Sequence, residues 1–261
     1  MKFAHFLKAL APVLAVAMAT GVSGCNGKIT INGEEGKKLS EIDMSGPAPH
    51  ELVLLGPDEV QVTTGDKLAI TVDGDPDAVA KMRFSLKDGT LAILREDKVF
   101  SSGDKLAVVH VTMPAPTEVT MAGSGKINAA TLAPDAKVVV AGSGRIDSQN
   151  VSGSKLEVTL PGSGSFRAAG NVDSLELTIL GSGSAELDAV KAGKAKVTIA
   201  GSGGAAFASD GEVEASIMGS GSVKVTGRAR CKVSAMGSGT LVCENGVTKT
   251  DDKDAREAPA T

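Results

Sequence analysis

"EVTMAGSGKI" occupies residues 118–127, and the chain then writes the same ten-residue pattern six more times. The copies are "KVVVAGSGRI" (137–146), "EVTLPGSGSF" (157–166), "ELTILGSGSA" (176–185), "KVTIAGSGGA" (196–205), "EASIMGSGSV" (214–223) and "KVSAMGSGTL" (232–241). Their first glycines stand at Gly123, Gly142, Gly162, Gly181, Gly201, Gly219 and Gly237, between 18 and 20 residues apart. A fixed period of this size marks a repeat architecture and is read before any local motif.

The columns of the repeat carry more than the motif. Two residues before each first glycine stand Met121, Val140, Leu160, Ile179, Ile199, Ile217 and Ala235. Four before stand Val119, Val138, Val158, Leu177, Val197, Ala215 and Val233, and four after stand Ile127, Ile146, Phe166, Ala185, Ala205, Val223 and Leu241. All are apolar. The position three before is polar except at Val139: Thr120, Thr159, Thr178, Thr198, Ser216 and Ser234. Alternation of period two on both sides of a Gly-Ser-Gly predicts strand, tight corner, strand. A coil of about 19 residues reaches roughly 60 Å when extended, enough to bend around a narrow apolar interior, and successive coils stack about 4.8 Å apart. Each coil buries little alone, so stacking makes the core continuous. The fold class is all-β: a parallel β-helix, or solenoid, with coils of about 19 residues. The strict six-residue period of left-handed forms is absent, so the right-handed form is expected. Glycine supplies the corner's backbone angles, and the serine is expected to bond to nearby backbone or to its counterparts above and below.

One charged column fits the same stack. Five residues before each first glycine stand Glu118, Lys137, Glu157, Glu176, Lys196, Glu214 and Lys232, and only Glu157 over Glu176 brings like charges together. Each exposed pair contributes about 0–1 kcal/mol, but the row opposes a slip of register.

Outside the regular coils (117–246), the stretch from residue 51 onward is a series of short alternating strands separated by "GPD", "DGDPD" and "KDG" turns. It is expected as irregular first coils or a small β cap, completing one domain over 51–246. Residues 25–50 are expected as a flexible tether and 247–261 as a disordered tail. Residues 1–24 have Lys2 and Lys8 followed by a short apolar run broken by Pro12, which fits a secretory signal rather than a membrane span. "VSGC" (22–25) resembles the bacterial lipobox, which implies lipidation of Cys25 and attachment to a membrane through the lipid. The residue after it is Asn26, not Asp, which by resemblance to Gram-negative lipoproteins implies the outer membrane.

With Cys25 assigned to lipid, Cys231 and Cys243 remain, an even pair in a compartment that permits disulfides. They stand six before and six after Gly237, offsets that are inward in other coils (Leu156, Leu175 and Val213 before; Leu187, Phe207 and Val225 after). A disulfide needs Cα atoms within about 7 Å, whereas facing sheets stand about 10 Å apart. Either the terminal coil narrows and the bond forms, or two buried thiols act as small apolar residues.

Several chemistries are disfavoured. The net charge of −4 offers no basic footprint for nucleic acid. The absence of Trp and Tyr removes stacking platforms for sugars or bases. Gly-Ser-Gly followed by a strand is not a dinucleotide loop, which needs a third glycine and a helix. There is no G-x-S-x-G nucleophile elbow, and His50 and His110 read as surface or edge residues. "DGDPD" (73–77) opens like an EF-hand loop but has Ala78 and Phe84 where that loop needs Gly and Glu, so it reads as a turn. No catalytic residue, cofactor or metal ligand is assigned.

The signal, the lipobox, the irregular β start and the repeated V-T-apolar-x-G-S-G strands resemble the bacterial head GIN domain family, of the auto-transporter adhesin type. The likeness covers about residues 51–246. It implies a cell-envelope β-helix without catalytic residues, here a non-enzymatic lipoprotein presenting a rigid surface for binding or adhesion to an unidentified envelope or surface partner. The alternative is a glycan-binding or glycan-cleaving β-helix enzyme of the envelope, or a structural or stress-related envelope protein without ligand.

Overall fold

The computed structural model describes residues 30–31, 34–96, 105–244 and 247–250. The signal segment, Cys25 and residues 251–261 of the expected tail lie outside the described residues.

The regular part is a parallel stack. β9 (Glu118–Gly123) and β10 (Lys126–Thr131) form the first Gly-Ser-Gly coil, followed by β11 (Asp135–Gly142), β12 (Arg145–Gly162), β13 (Ser165–Gly181), β14 (Ser184–Gly201), β15 (Gly204–Gly219), β16 (Ser222–Thr226), β17 (Arg230–Gly237) and β18 (Thr240–Cys243). Each repeat pairs in parallel with the next, so that Gly162 lies over Gly142, Gly181 over Gly162 and Gly201 over Gly181. The sequence columns are therefore physical columns. The inward positions from Met121 to Ile217 and from Val119 to Val233 are buried, as are Ile127 through Val223. Ala235 and Leu241, in the last coil, are more open because, among the described residues, no full coil lies beyond them.

The corner explains why the motif repeats. The backbone N–H of the serine donates to the carbonyl of the first glycine one coil below: Ser163 to Gly142 at 2.9 Å, Ser182 to Gly162 at 2.9 Å and Ser202 to Gly181 at 2.9 Å. The residue after the second glycine donates in the same way, Ser184 to Gly164 at 3.0 Å and Thr240 to Gly221 at 3.0 Å. It is the serine amide, not its exposed hydroxyl, that holds the corner. Gly181 has φ +127°, and a Cβ there would stand 2.6 Å from the Gly162 carbonyl oxygen. The second glycine answers a different demand, since a Cβ at Gly203 would stand 2.5 Å from Cγ2 of Ile179. Its missing side chain is the hole that an inward branched residue of the coil below fills.

The N-terminal strands do not stack in chain order. β3 (Glu51–Leu55) lies between β7 (Thr90–Arg95) and β9, and β4 (Glu59–Thr64) lies between β8 (Ala107–Met113) and β10, all parallel. The coil written first in the sequence is thus the second in space. Residues 114–117 carry the chain past it, with the Thr117 amide donating to the His50 carbonyl at 2.8 Å. Two further strands close this end: β5 (Ala69–Gly74) runs antiparallel to β8, and β6 (Met82–Lys87) antiparallel to β7. Helix α1 (Pro76–Ala80) and a 3-10 turn at Leu39–Glu41 complete the cap. Both of the forms expected for this region, irregular coils and a β cap, are present.

Two boundaries differ from the sequence reading. Within the expected tether, Lys37 exchanges backbone hydrogen bonds with Phe84, and Leu39 and Ile42 pack on the core, because the edge of β6 and the end of the core both need cover. Within the expected tail, β19 (Val247–Thr250) pairs in parallel with Arg230–Val233. A short hairpin, β1 (Thr30–Ile31) with β2 (Glu34–Glu35), precedes the cap.

The corner geometry sets a sharp contrast between neighbours. Gly181→Ala forces a side chain into a left-handed backbone against a carbonyl and should cost about 2–4 kcal/mol. Ser182→Ala, one residue on and exposed, should cost under about 0.5 kcal/mol. Urea denaturation of both variants reads the difference, and equal losses would contradict the stacked corner.

Candidate binding surface

The long face before the corner is built from outward positions of the stacked strands. Seven and five residues before each first glycine, side chains line up coil over coil: Lys155, Ser174, Lys194, Glu212 and Arg230 in one column, Glu157, Glu176, Lys196, Glu214 and Lys232 in the next. From Lys194 upward the sign therefore changes by whole rows. Lys194 and Lys196 form a basic row, Glu212 and Glu214 an acidic row above it, and Arg230 and Lys232 a basic row above that. This part of the face is a shallow, open concavity.

The like-charged neighbours Glu157 and Glu176 do stack in register, and Lys155 reconciles them. Its Nζ lies 3.0 Å from Glu157 and 3.1 Å from Glu176. The hydrogen bond to Glu157, then that to Glu176, raises the Lys155 pKa above its ordinary value. Lower in the stack Lys137 Nζ meets Glu118 Oε1 at 3.0 Å. Towards the other end Arg230 reaches Glu212 at 3.4 Å.

The face after the corner is also cross-linked between coils. The Arg167 guanidinium grips Glu186, with Nε at 2.9 Å, and this hydrogen bond raises the Arg167 pKa. Asn128 donates to Glu59 at 2.8 Å, and Lys224 meets Glu244 at 3.0 Å. At the turn between faces Lys191 Nζ lies 2.7 Å from Asp210, whose pKa falls through that hydrogen bond and a second from the Arg228 amide. Oδ1 of Asp147 is buried without a hydrogen-bond partner, but its side chain is partly open and Lys126 lies 3.9 Å away.

The residues weighed for chemistry fall apart in space. His110, on β8, lies 3.3 Å from the exposed Asp73, and His50 stands just before β3 beside Glu51. "DGDPD" is a helix start rather than a simple turn: Asp75 accepts from the Asp77 and Ala78 amides, Pro76 opens α1, and Lys105 pairs with Asp77 at 2.7 Å. Among the described residues no group of three or more His, Cys, Asp or Glu side chains is placed to hold a metal ion.

Cys231 and Cys243 are joined in the structure, with Cα atoms 6.6 Å apart. The terminal coil narrows enough to bring them together. One ion pair was not visible in the sequence. Asp58 is fully buried, accepts from the Ala107 amide at 2.9 Å and receives the Arg95 guanidinium, with Nε at 3.0 Å. It stands in the "GPD" corner of the displaced coil and ties it to the coil outside it. The signal available was only an Asp in a turn, because its partner is 37 residues away.

Two outcomes follow from these contacts. Lys155→Met should leave Glu157 facing Glu176 and lower stability by under about 1 kcal/mol, and adding Glu157→Gln should recover most of it in a double-mutant cycle. Because the folded-state pKa of Lys155 is raised, this contribution is fully present below pH 10.5 and is lost as pH rises through the higher folded value. Alkylation of the unfolded, non-reduced protein should find Cys231 and Cys243 blocked. Reduction should cost about 2–3 kcal/mol from loop-closure entropy. Two free thiols would rule out the bond.

The chain matches the family described as "Putative auto-transporter adhesin, head GIN domain" over residues 48–229. Among solved structures, a "putative adhesin" from Bacteroides fragilis is 21% identical with a TM-score of 0.65, over 76% of this chain and 93% of that one. A "putative lipid binding protein" from Parabacteroides distasonis is 20% identical with a TM-score of 0.60, over 76% and 93%. A "putative adhesin" from Parabacteroides merdae is 19% identical with a TM-score of 0.55, over 76% and 92%. At these identities the likeness is one of fold, and no curated protein matches. The family match covers α1 and the antiparallel strands of the cap and nearly all the regular coils, and the chain belongs to the head GIN domain family.

Proposed function

We propose that this is a lipid-anchored protein of the cell envelope that presents its β-helix as a rigid binding or adhesive surface and performs no catalysis. The observation that carries the reading is the long outer face, where charged and hydroxyl side chains repeat at the coil spacing. Membership of an adhesin-type family points the same way.

The geometry also suits an anchor at one end. The chain reaches the solenoid at Lys37, on the cap strand β6. The 12 residues from Cys25 to Lys37 span at most about 40 Å. A lipid on Cys25 would therefore hold the cap end near the bilayer and leave the charged faces and the C-terminal end accessible. The "VSGC" motif and Asn26 favour the outer membrane of a Gram-negative envelope, and the negative net charge disfavours nucleic acid as partner.

The full chain expressed in such a host should partition into detergent with lipid on Cys25, and Cys25→Ser should stay unprocessed or soluble. Recovery of wild type in the aqueous phase without lipid would defeat the anchor. A Lys194→Glu, Lys196→Glu variant should lose an envelope component that wild type captures. Turnover of an envelope glycan by purified wild type would contradict the non-catalytic reading.

A further inference from the structure

The C-terminal end of the stack is incomplete. β19 covers only Arg230–Val233 of β17. Among the described residues, Ser234–Gly237 and all of β18 have a partner strand on one side only. Their outer edge offers unpaired N–H and C=O groups, the feature through which sheets join other chains. The inward columns are open there too. Ala235 is exposed, whereas Ile217 and Ile199 beneath it are buried, and Leu241 and Cys243 are only half-buried. Met236 is 75% exposed, Val242 53% and Met218 43%, three of the five large apolar side chains exposed among the described residues.

Extending the register of β19 would bring Asp252 into the inward column and Asp254 to the corner position that is Gly in every regular coil. The first would bury a charge, and the second would set a side chain against a carbonyl. A further copy cannot stack head to tail, because β5, β6, α1 and the 3-10 turn close the other end with antiparallel strands.

We infer that two copies join C-terminal end to C-terminal end about a twofold axis, with β18 of one antiparallel to β18 of the other. Such a contact is isologous and closes at two copies, whereas head-to-tail stacking would propagate a fibre. Side-chain parity selects the register, since residues directly opposite in an antiparallel pair share a face. Centring the pair on Val242 places Val242 beside Val242 of the second copy on the outer face. It also places Leu241 beside Cys243 of the second copy on the inner face, and Thr240 beside Glu244. The pairing satisfies the open backbone edge, covers Leu241 and shields the most exposed apolar residues of the end.

Native mass spectrometry of the full chain released from detergent micelles should show twice the chain mass at micromolar concentration. Val242→Lys sets a charge on the edge at an exposed position and should return the single mass, with the far-ultraviolet circular dichroism of the folded chain unchanged. Asp73→Lys, at the cap end, should remain double. Spin labels at Ser238 should report one short distance between copies, and labels at Asp73 none. A single mass for wild type, a double mass that survives Val242→Lys, or a short distance at Asp73 would each overturn the proposal.

Discussion

The stack rests on one backbone contact, repeated from the second regular coil to the sixth: the serine amide at the corner donates to the carbonyl of the glycine directly below. The contact requires the two corners to approach more closely than a Cβ permits, so glycine recurs in the column, and its positive φ turns the chain from one face to the next. The second glycine of the later corners leaves the hole that an inward side chain fills from below, Val140 under Gly164 and Ile179 under Gly203 among them. Close packing of that interior then fixes the spacing of everything outside it. Seven near-identical decapeptides follow from one contact that five corner serines, from Ser143 to Ser220, make to the coil below, not from seven binding loops.

Because the corners lock register, the outer columns are locked as well, and the surface becomes a set of charge rows at a fixed interval. Its electrostatics are mostly spent within the stack. Lys155 bridges the one like-charged pair in its column, Arg167 grips Glu186, and Lys191 meets Asp210 between coils. Such exposed pairs add little stability individually but penalise a shifted register. The resulting face is polar and ordered in rows at the coil spacing. The two ends are treated differently. The N-terminal end is closed by strands that reverse direction, while the C-terminal end is held by the Cys231–Cys243 link and a single short strand.

The regular coils were legible because each column obeys one rule seven times, so a single exception such as Val139 or Ala235 does not blur the pattern. The N-terminal coils obey no such rule. Strands β3, β4, β7 and β8 alternate in the same way whichever order they stack in, so the insertion of the first coil between the second and third was hidden. The Asp58–Arg95 pair was hidden for a related reason: two residues 37 apart meet only after that insertion. Asp75 looked like part of a turn because Asx residues serve both turns and helix caps, and only Pro76 and the tertiary setting decide for the helix. The limits of the tether and tail were misplaced because "GKKLSEI" and "VTKT" are largely polar segments recruited by exposed strand edges, with only Leu39 and Ile42 of the first reaching the core. The face itself was foreseen as one column of charge. Its concavity and row-wise alternation depend on a second column, seven before the glycine, that carries no repeated motif.

Amide hydrogen exchange tests the corner most directly. Ser163, Ser182 and Ser202 are exposed side chains at tight turns, sites where unbonded amides exchange quickly. If their amides support the stack, they should exchange as slowly as those of the buried Leu160, Ile179 and Ile199 beside them, at the free energy of global unfolding. Exchange of the serine amides orders of magnitude faster than that of their buried neighbours would show that the coils are held by their cores alone, and that the glycine column is not what stacks them.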